Sequence, residues 1–184
     1  MAKRAWVYSD PHFYHDGVCR FTNSDGSKLR PWDSADVMTQ EMIAMYNDLV
    51  ADTDRVYLLG DVAFSAAKIR AAVSQLKGKI VLIPGNHEPP KMRQYFDVFD
   101  DVRGYVQRDG FIMSHIPLHP ESLGRWGLNI HGHLHANVVK TQVWNVYRNE
   151  AREVPDLRYY NASVEQTNFR PKLLDEILHE RLRS

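Results

Sequence analysis

The chain holds a single cysteine, Cys19, in 184 residues, so no internal disulfide can form and stability has to come from a packed interior. It carries no net charge, with 23 basic residues against 23 acidic ones. That balance sets up no global field for polyanions and argues against bulk nucleic-acid binding. Long apolar runs are missing as well. None approaches the ~18 residues of a membrane-spanning helix. The opening "MAKRAWVYSDPHFYHD" reaches charged residues and histidines without the apolar core of a signal peptide. These absences predict a soluble, cytoplasmic protein with no membrane partner. No repeat, low-complexity tract or linker interrupts the chain, so residues 1–184 read as one domain. A hydrophobic content of 43% with 25% charged residues is that of an ordinary globular fold.

The apolar segments come in an ordered series. "AWVYSD" (5–10), "RVYLLGD" (55–61) and "KIVLIPGNHE" (79–88) are short apolar runs that stop at polar turns, as buried strands do. Between them, "DSADVMTQEMIAMYNDLV" (33–50) opens with a capping residue, Asp33 or Ser34. Its Val37, Ile43, Tyr46, Leu49 and Val50 recur at helical spacing. "SAAKIRAAVSQLKG" (65–78) predicts a second helix, with Gly78 as its stop. The order β-α-β-α-β predicts an α/β sheet with crossover helices. Beyond it, "DVRGYVQRDGFIMSH" predicts a hairpin around Asp109-Gly110. "LGRWGLNIHGHLH", "QVWNVY" and "LRYYNASV" add short strands, and "PKLLDEILHERLRS" closes with an amphipathic helix. The sheet system is therefore mixed rather than purely parallel.

What stands out is where the polar residues fall. Asp10 and His12 end the first strand, and Gly60-Asp61 ends the second. Asn86, His87 and Glu88 end the third, His115 follows the hairpin, and His131, His133 and His135 close "LNIHGHLHANV". Ligand sites in open α/β sheets gather at the carboxyl ends of strands. Each group alone reads equally well as a turn or a structural histidine. Their joint position at five strand ends, mixing carboxylates with imidazoles, points to a metal site. If residues 131–135 stayed extended, all three histidines would share one face. A tri-histidine single-zinc enzyme is then an alternative, but it leaves Asp10, Asp61, Asn86 and His115 without a role.

The set D-x-H, G-D, G-N-H-[DE], H and G-H-x-H, in that order, resembles the calcineurin-like metallophosphoesterases, over residues 6 to about 136. "SDPHFYH", "YLLGDVAF", "LKGKIVLIPGNHE" and "MSHIPLHP" are most similar to short, cap-less bacterial and phage members. The resemblance implies a sandwich of two mixed β-sheets flanked by α-helices, holding two divalent metal ions. Manganese is the first candidate, with iron, zinc or nickel also compatible. Carried over by position, one metal takes Asp10, His12 and His135, and the other takes Asn86, His115 and His133. Asp61 bridges them, because a carboxylate can offset the repulsion of two cations ~3.5–4 Å apart.

The implied activity is hydrolysis of phosphodiester or phosphomonoester bonds, with nucleotides among the candidate substrates. A hydroxide held between the metals attacks phosphorus, and His87 protonates the leaving alkoxide. His131 matches no ligand position and is expected to pack or hydrogen-bond beneath the metals. Glu88 orients His87 or, more simply, is a surface turn residue. His15, Arg20, Arg125 and Trp126 lie on the expected rim as candidate substrate contacts. Cys19 reads as structural. The alternative from another class is a non-catalytic metal-binding scaffold of the same fold, which predicts eroded motif positions; here all are filled.

Overall fold

Strands with apolar side chains on both faces have to be covered on both faces, and the architecture follows from that. The computed structural model describes residues 3–182. In chain order, β1 (Ala5–Tyr8), α1 (Ala35–Asn47), β2 (Arg55–Leu58), α2 (Ala66–Val73), β3 (Lys79–Leu82) and β4 (Asp101–Val102) build the first layer. β5 (Val106–Arg108), β6 (Phe111–Met113), β7 (Leu128–His131), β8 (Lys140–Asn145), β9 (Glu150–Pro155) and β10 (Tyr159–Asn161) follow. β11 (Lys172–Leu173) and α3 (Leu174–Leu182) end the series.

The first sheet has the order β11-β1-β2-β3-β4, the second β10-β7-β6-β5, and β8 and β9 pair separately as a hairpin. β1, β2, β3 and β4 run parallel, with Trp6, Val56 and Ile80 in register, and β11 adds antiparallel. In the second sheet β10, β7 and β6 are parallel and β5 is antiparallel. Alternation along the strands splits the core in two. Trp6, Tyr8, Val56, Leu58, Ile80 and Leu82 face α1 and α2, packing on Met38, Met42, Tyr46 and Ile69. Val7, Tyr57, Leu59, Val81 and Ile83 face the second sheet, meeting Phe111, Met113, Leu128 and Ile130. The mixed α/β sandwich expected from the sequence is what forms.

Several details differ from expectation. α1 is capped by Ser34, whose side chain accepts from the Val37 N–H, but Val37 itself is exposed. Met38 and Met42 join the expected Ile43 and Tyr46 in the buried stripe, Met38 taking the place of Val37. α2 ends at Val73 with Ser74 as its cap, so Gly78 is not its stop. Gly78 instead takes φ +93 at the entry to β3, a conformation that suits only glycine. The Asp109-Gly110 hairpin joins β5 to β6, whereas Asp101-Val102 extends the other sheet. Lys172 and Leu173, expected as helix, pair with β1. β9 was not anticipated; its "EAREVP" is mostly exposed and lacks the apolar alternation that marks a half-buried strand. Residues 183–184 of the expected closing helix lie outside the described residues. Cys19 is buried with its sulfur 3.8 Å from Met38 Sδ, a packing role as expected.

Candidate metal centre

Parallel pairing sends the carboxyl ends of β1, β2 and β3 to one edge, and those of β6 and β7 to the facing edge of the second sheet. The two edges are stitched together at the site. The His133 N–H donates to both oxygens of Asp10, at 3.0 and 2.9 Å, and Ser9 and Ser163 hydroxyls donate to Asp10 Oδ2. Such crowding forces unusual backbone. Asp10, His12, Asp61, His133 and His135 all have positive φ, between 48° and 70°, which L side chains adopt at a cost. Two glycines make the approach possible: a Cβ at Gly85 would collide with the Asp61 carboxylate, and one at Gly132 with Ser9 and Asp10.

Two groups of ligand-capable atoms result. Asp10, His12 and His135 bring one donor atom each within 4.8 Å of one another, and Asp61, His115 and His133 do the same. Asp61 Oδ2 stands between the groups, 3.6 Å from His12 Nε2 and 3.5 Å from His115 Nε2. Asn86 joins the second group through Oδ1, 3.0 Å from His115 Nε2.

The donor set, carboxylates with imidazoles, is of the kind that can hold a divalent cation. His115 Nδ1 lies 2.7 Å from the Leu59 carbonyl, so it donates and Nε2 is the ring nitrogen left for the site. Nε2 faces Asn86 Oδ1 at 3.0 Å and Asp61 Oδ2 at 3.5 Å. Burial, aided by the Arg30 guanidinium, pushes His12 far below the usual histidine range and keeps its ring neutral. Its Nδ1 is buried with no hydrogen-bond partner. Burial also raises Asp10 above the ordinary carboxylate range. Carboxylates buried this close to imidazoles are costly unless they are hydrogen-bonded and paired with a cation.

His135 is held from behind. Its Nδ1 lies 2.9 Å from Glu165 Oε1, and Glu165 is bonded in turn by Arg30 at 2.7 and 2.8 Å. Burial opposes a proton on His135, but Glu165 overrides it and raises the ring's pKa. Arg30 is fully buried and also donates to the carbonyls of Asp10 and Pro11, bracing the β1 turn. Sequence reasoning missed Arg30, Glu165, Ser9 and Ser163. A lone arginine and a lone glutamate 135 positions apart leave no local signal.

His87 sits over the centre rather than in it. Its ring is 46% exposed, its Nε2 is 4.0 Å from Asp61 Oδ2, and its N–H donates to Asp61 Oδ1. Glu88 neither orients that ring nor decorates the surface. Its carboxylate accepts from the N–H groups of Val62 and Gly85, tying the turns after β2 and β3 together. His131 lies outside both groups, buried, with Nδ1 2.7 Å from the Gly132 carbonyl. The positive φ at His133 and His135 explains why the three histidines do not share a face: the chain leaves extended geometry after His131. His15 packs 4.4 Å from the Phe64 ring and 6.0 Å from that of His12. Arg20 is exposed in the loop after β1. Trp126 shares a cavity with Asn86 and His115, whereas Arg125 does not reach it and lines a second one, with Gln107, Arg108, Asp109, Gly110 and the same Trp126.

The chain is 33% identical over 179 residues to the uncharacterized protein MJ1445 of Methanocaldococcus jannaschii, covering 96% of this chain and 90% of that protein. It belongs to the MJ1445 family. No family model matches the sequence. Among solved structures, the protein of unknown function AQ665 from Aquifex aeolicus aligns over 96% of this chain and 98% of its own, with TM-score 0.58 and 22% identity. That likeness establishes the fold. An archaeal phosphodiesterase aligns over 83% of this chain and 99% of its own, with TM-score 0.46 and 16% identity, and carries no argument about activity.

Proposed function

We propose that the chain is a phosphoesterase working with two divalent metal ions, cleaving phosphodiester or phosphomonoester bonds. The observation that carries this reading is Asp61 Oδ2 poised between two ligand groups, 3.6 Å from His12 Nε2 and 3.5 Å from His115 Nε2. Asp10, His12 and His135 would hold one ion, Asn86, His115 and His133 the other, and Asp61 both. Bound there, the ions would polarise the phosphoryl oxygens and lower the pKa of water. The remaining work falls to the chain. Glu165 keeps Nδ1 of His135 occupied, so that Nε2 is presented to the site. Leu59 does the same for His115 through its carbonyl. His87, half-exposed above Asp61 and outside both groups, is placed to give a proton from its ring to the departing oxygen. Two carboxylates against two divalent cations leave the site positive, which suits a phosphate anion.

Metal binding and turnover test the reading together. Elemental analysis under saturating Mn²⁺ should give about two ions per chain. Chelation should abolish hydrolysis of a nitrophenyl phosphodiester, and Mn²⁺ should restore it. Asp61→Asn, which keeps the volume and removes the anion, should lose at least one ion together with activity. One tightly held ion with full activity would dismiss the dinuclear centre. Two ions with no turnover on any phosphate ester would favour the metal-binding scaffold.

A further inference from the structure

A cavity of ≈ 600 Å³ opens beside the candidate centre, with Asn86 and His115 forming its inner end. Its walls are Tyr105, Ile112, Ile116, Leu118 and Trp126. Resting on the phosphoesterase reading, we infer that this cavity seats the organic group of the ester, and that the group is flat, uncharged and apolar. The geometry carries this in three ways.

First, the cavity is continuous with two residues that would hold the second ion, Asn86 and His115. An ester whose phosphate met that ion would have room for its substituent along Ile116 and Tyr105. Second, the lining contains no lysine, arginine, aspartate or glutamate. A nucleoside polyphosphate would leave its extra charges without partners, at high cost. Beyond the inner end, the polar side chains of the wall are two uncharged serines, Ser114 and Ser122. Ser114 is already used: its hydroxyl donates to the Ile116 carbonyl and accepts from Asn129 Nδ2. Third, Tyr105 and Ile116 are 56% and 51% exposed, a large apolar pair on the rim of a polar site. Contiguous exposed apolar surface of this kind marks a binding region. The opposite wall is rigid. Leu118 is pinned by Asn129 Oδ1 at its N–H and by the Tyr159 hydroxyl at its carbonyl, and Trp126 packs on the cluster of Ile112, Leu123 and Tyr159. A preformed apolar slot binds without the entropy cost of ordering its walls.

The test compares 2-naphthylphosphonate with methylphosphonate, titrated by calorimetry into the Mn²⁺-loaded protein. The naphthyl compound should bind about tenfold tighter or more, since it alone carries an apolar ring to bury. Replacing the two exposed wall residues, Tyr105→Ser with Ile116→Ser, should bring that ratio close to one without threatening the fold. Val143→Ser, on β8 and outside the cavity lining, should leave the ratio alone. Saturation transfer from chelator-treated protein to the naphthyl ring protons supplies a readout that needs no metal, and should weaken in the double variant. Equal affinities in the parent, or a ratio unchanged by the double variant, would overturn the proposal. So would sedimentation finding a dimer that the double variant dissolves, because a second copy would then cover the slot. Phosphonate binding indifferent to Mn²⁺ would overturn the phosphoesterase reading instead, while the slot stands or falls on the ring signal in chelated protein.

Discussion

Glu165 accepts a hydrogen bond from His135 Nδ1 at 2.9 Å, linking the turn after β10 to the turn after β7. The same oxygen, Oε1, also accepts from buried Arg30, so one carboxylate orients a candidate ligand and neutralises the cation that braces Asp10. A charged partner behind a metal-binding imidazole fixes its tautomer and strengthens it as a ligand. Glu165→Gln keeps the shape and removes the charge. It should weaken the ion held by Asp10, His12 and His135 by about 10–100-fold, with the other ion less affected. Competition against a fluorescent chelator would measure both affinities. An unchanged affinity for both ions would mean that Glu165 serves only to neutralise Arg30.

His131 and His133 are two residues apart and should behave differently. His131 lies outside both ligand groups, with its Nδ1 on the Gly132 carbonyl, while His133 shares a group with Asp61 and His115. His131→Gln should keep both ions and most activity. His133→Gln should lose at least one ion and most activity. Equal loss in both would return the tri-histidine reading.

His87 should show its role through the leaving group. General acid help is worth typically 10²–10⁴-fold, and only where the departing oxygen is a poor leaving group. His87→Asn should keep both ions and hydrolyse nitrophenyl esters comparatively well, but fall by about that factor on alkyl or ribosyl esters. The comparison is kcat/KM on both substrate types, with metal content measured on the same samples. An equal fall on both with the ions in place would assign His87 to charge stabilisation on the phosphoryl oxygens. A fall with metal loss would make it a ligand.

Asp54, at the other end of the first sheet, should govern the acid limb of stability. Burial pushes its carboxyl up, but hydrogen bonds from Trp6 Nε1 and from the Ala51 and Arg4 N–H groups outweigh that and hold it at about 2. A folded-state pKa below the unfolded one gives stability that is present above the unfolded value of ~3.9 and lost as pH falls through about 2. Asp54→Asn should therefore cost about 1.5–3 kcal/mol at neutral pH, the range for bonds to a charged group. The gap between variant and parent should close below pH ~3.9. Urea unfolding at several pH values would measure it, and a gap constant with pH would remove the charge from the explanation.

Local chemistry was legible in the sequence. Apolar runs that stop at Asp10, Asp61, Asn86, His115 and His133 mark strands ending in metal-capable side chains, because strand periodicity and ligand type are properties of a few adjacent residues. Ser34, one of the two caps offered for α1, belongs to the same kind of information. The short strands β4 and β11 did not, since two residues have no period of their own and pair only because a neighbouring strand offers an open edge. Helix spacing placed Val37 in one stripe with Ile43 and Tyr46; the last two are buried as expected, but the sheet they pack on took Met38 and Met42 rather than Val37. At the site, alternation put His131, His133 and His135 on one face; crowding against Ser9 and Asp10 turned the backbone and sent His133 and His135 to different groups. Arg30 meets Glu165 across 135 positions of sequence. Sequence alone determined which residues could bind a cation, because that is written in side-chain type. Their division into two groups around Asp61 was carried in the sequence only by resemblance. Its physical basis, and Arg30 and Glu165 standing behind it, were decided by the tertiary structure alone, because those relations arise where the edges of two separate sheets meet.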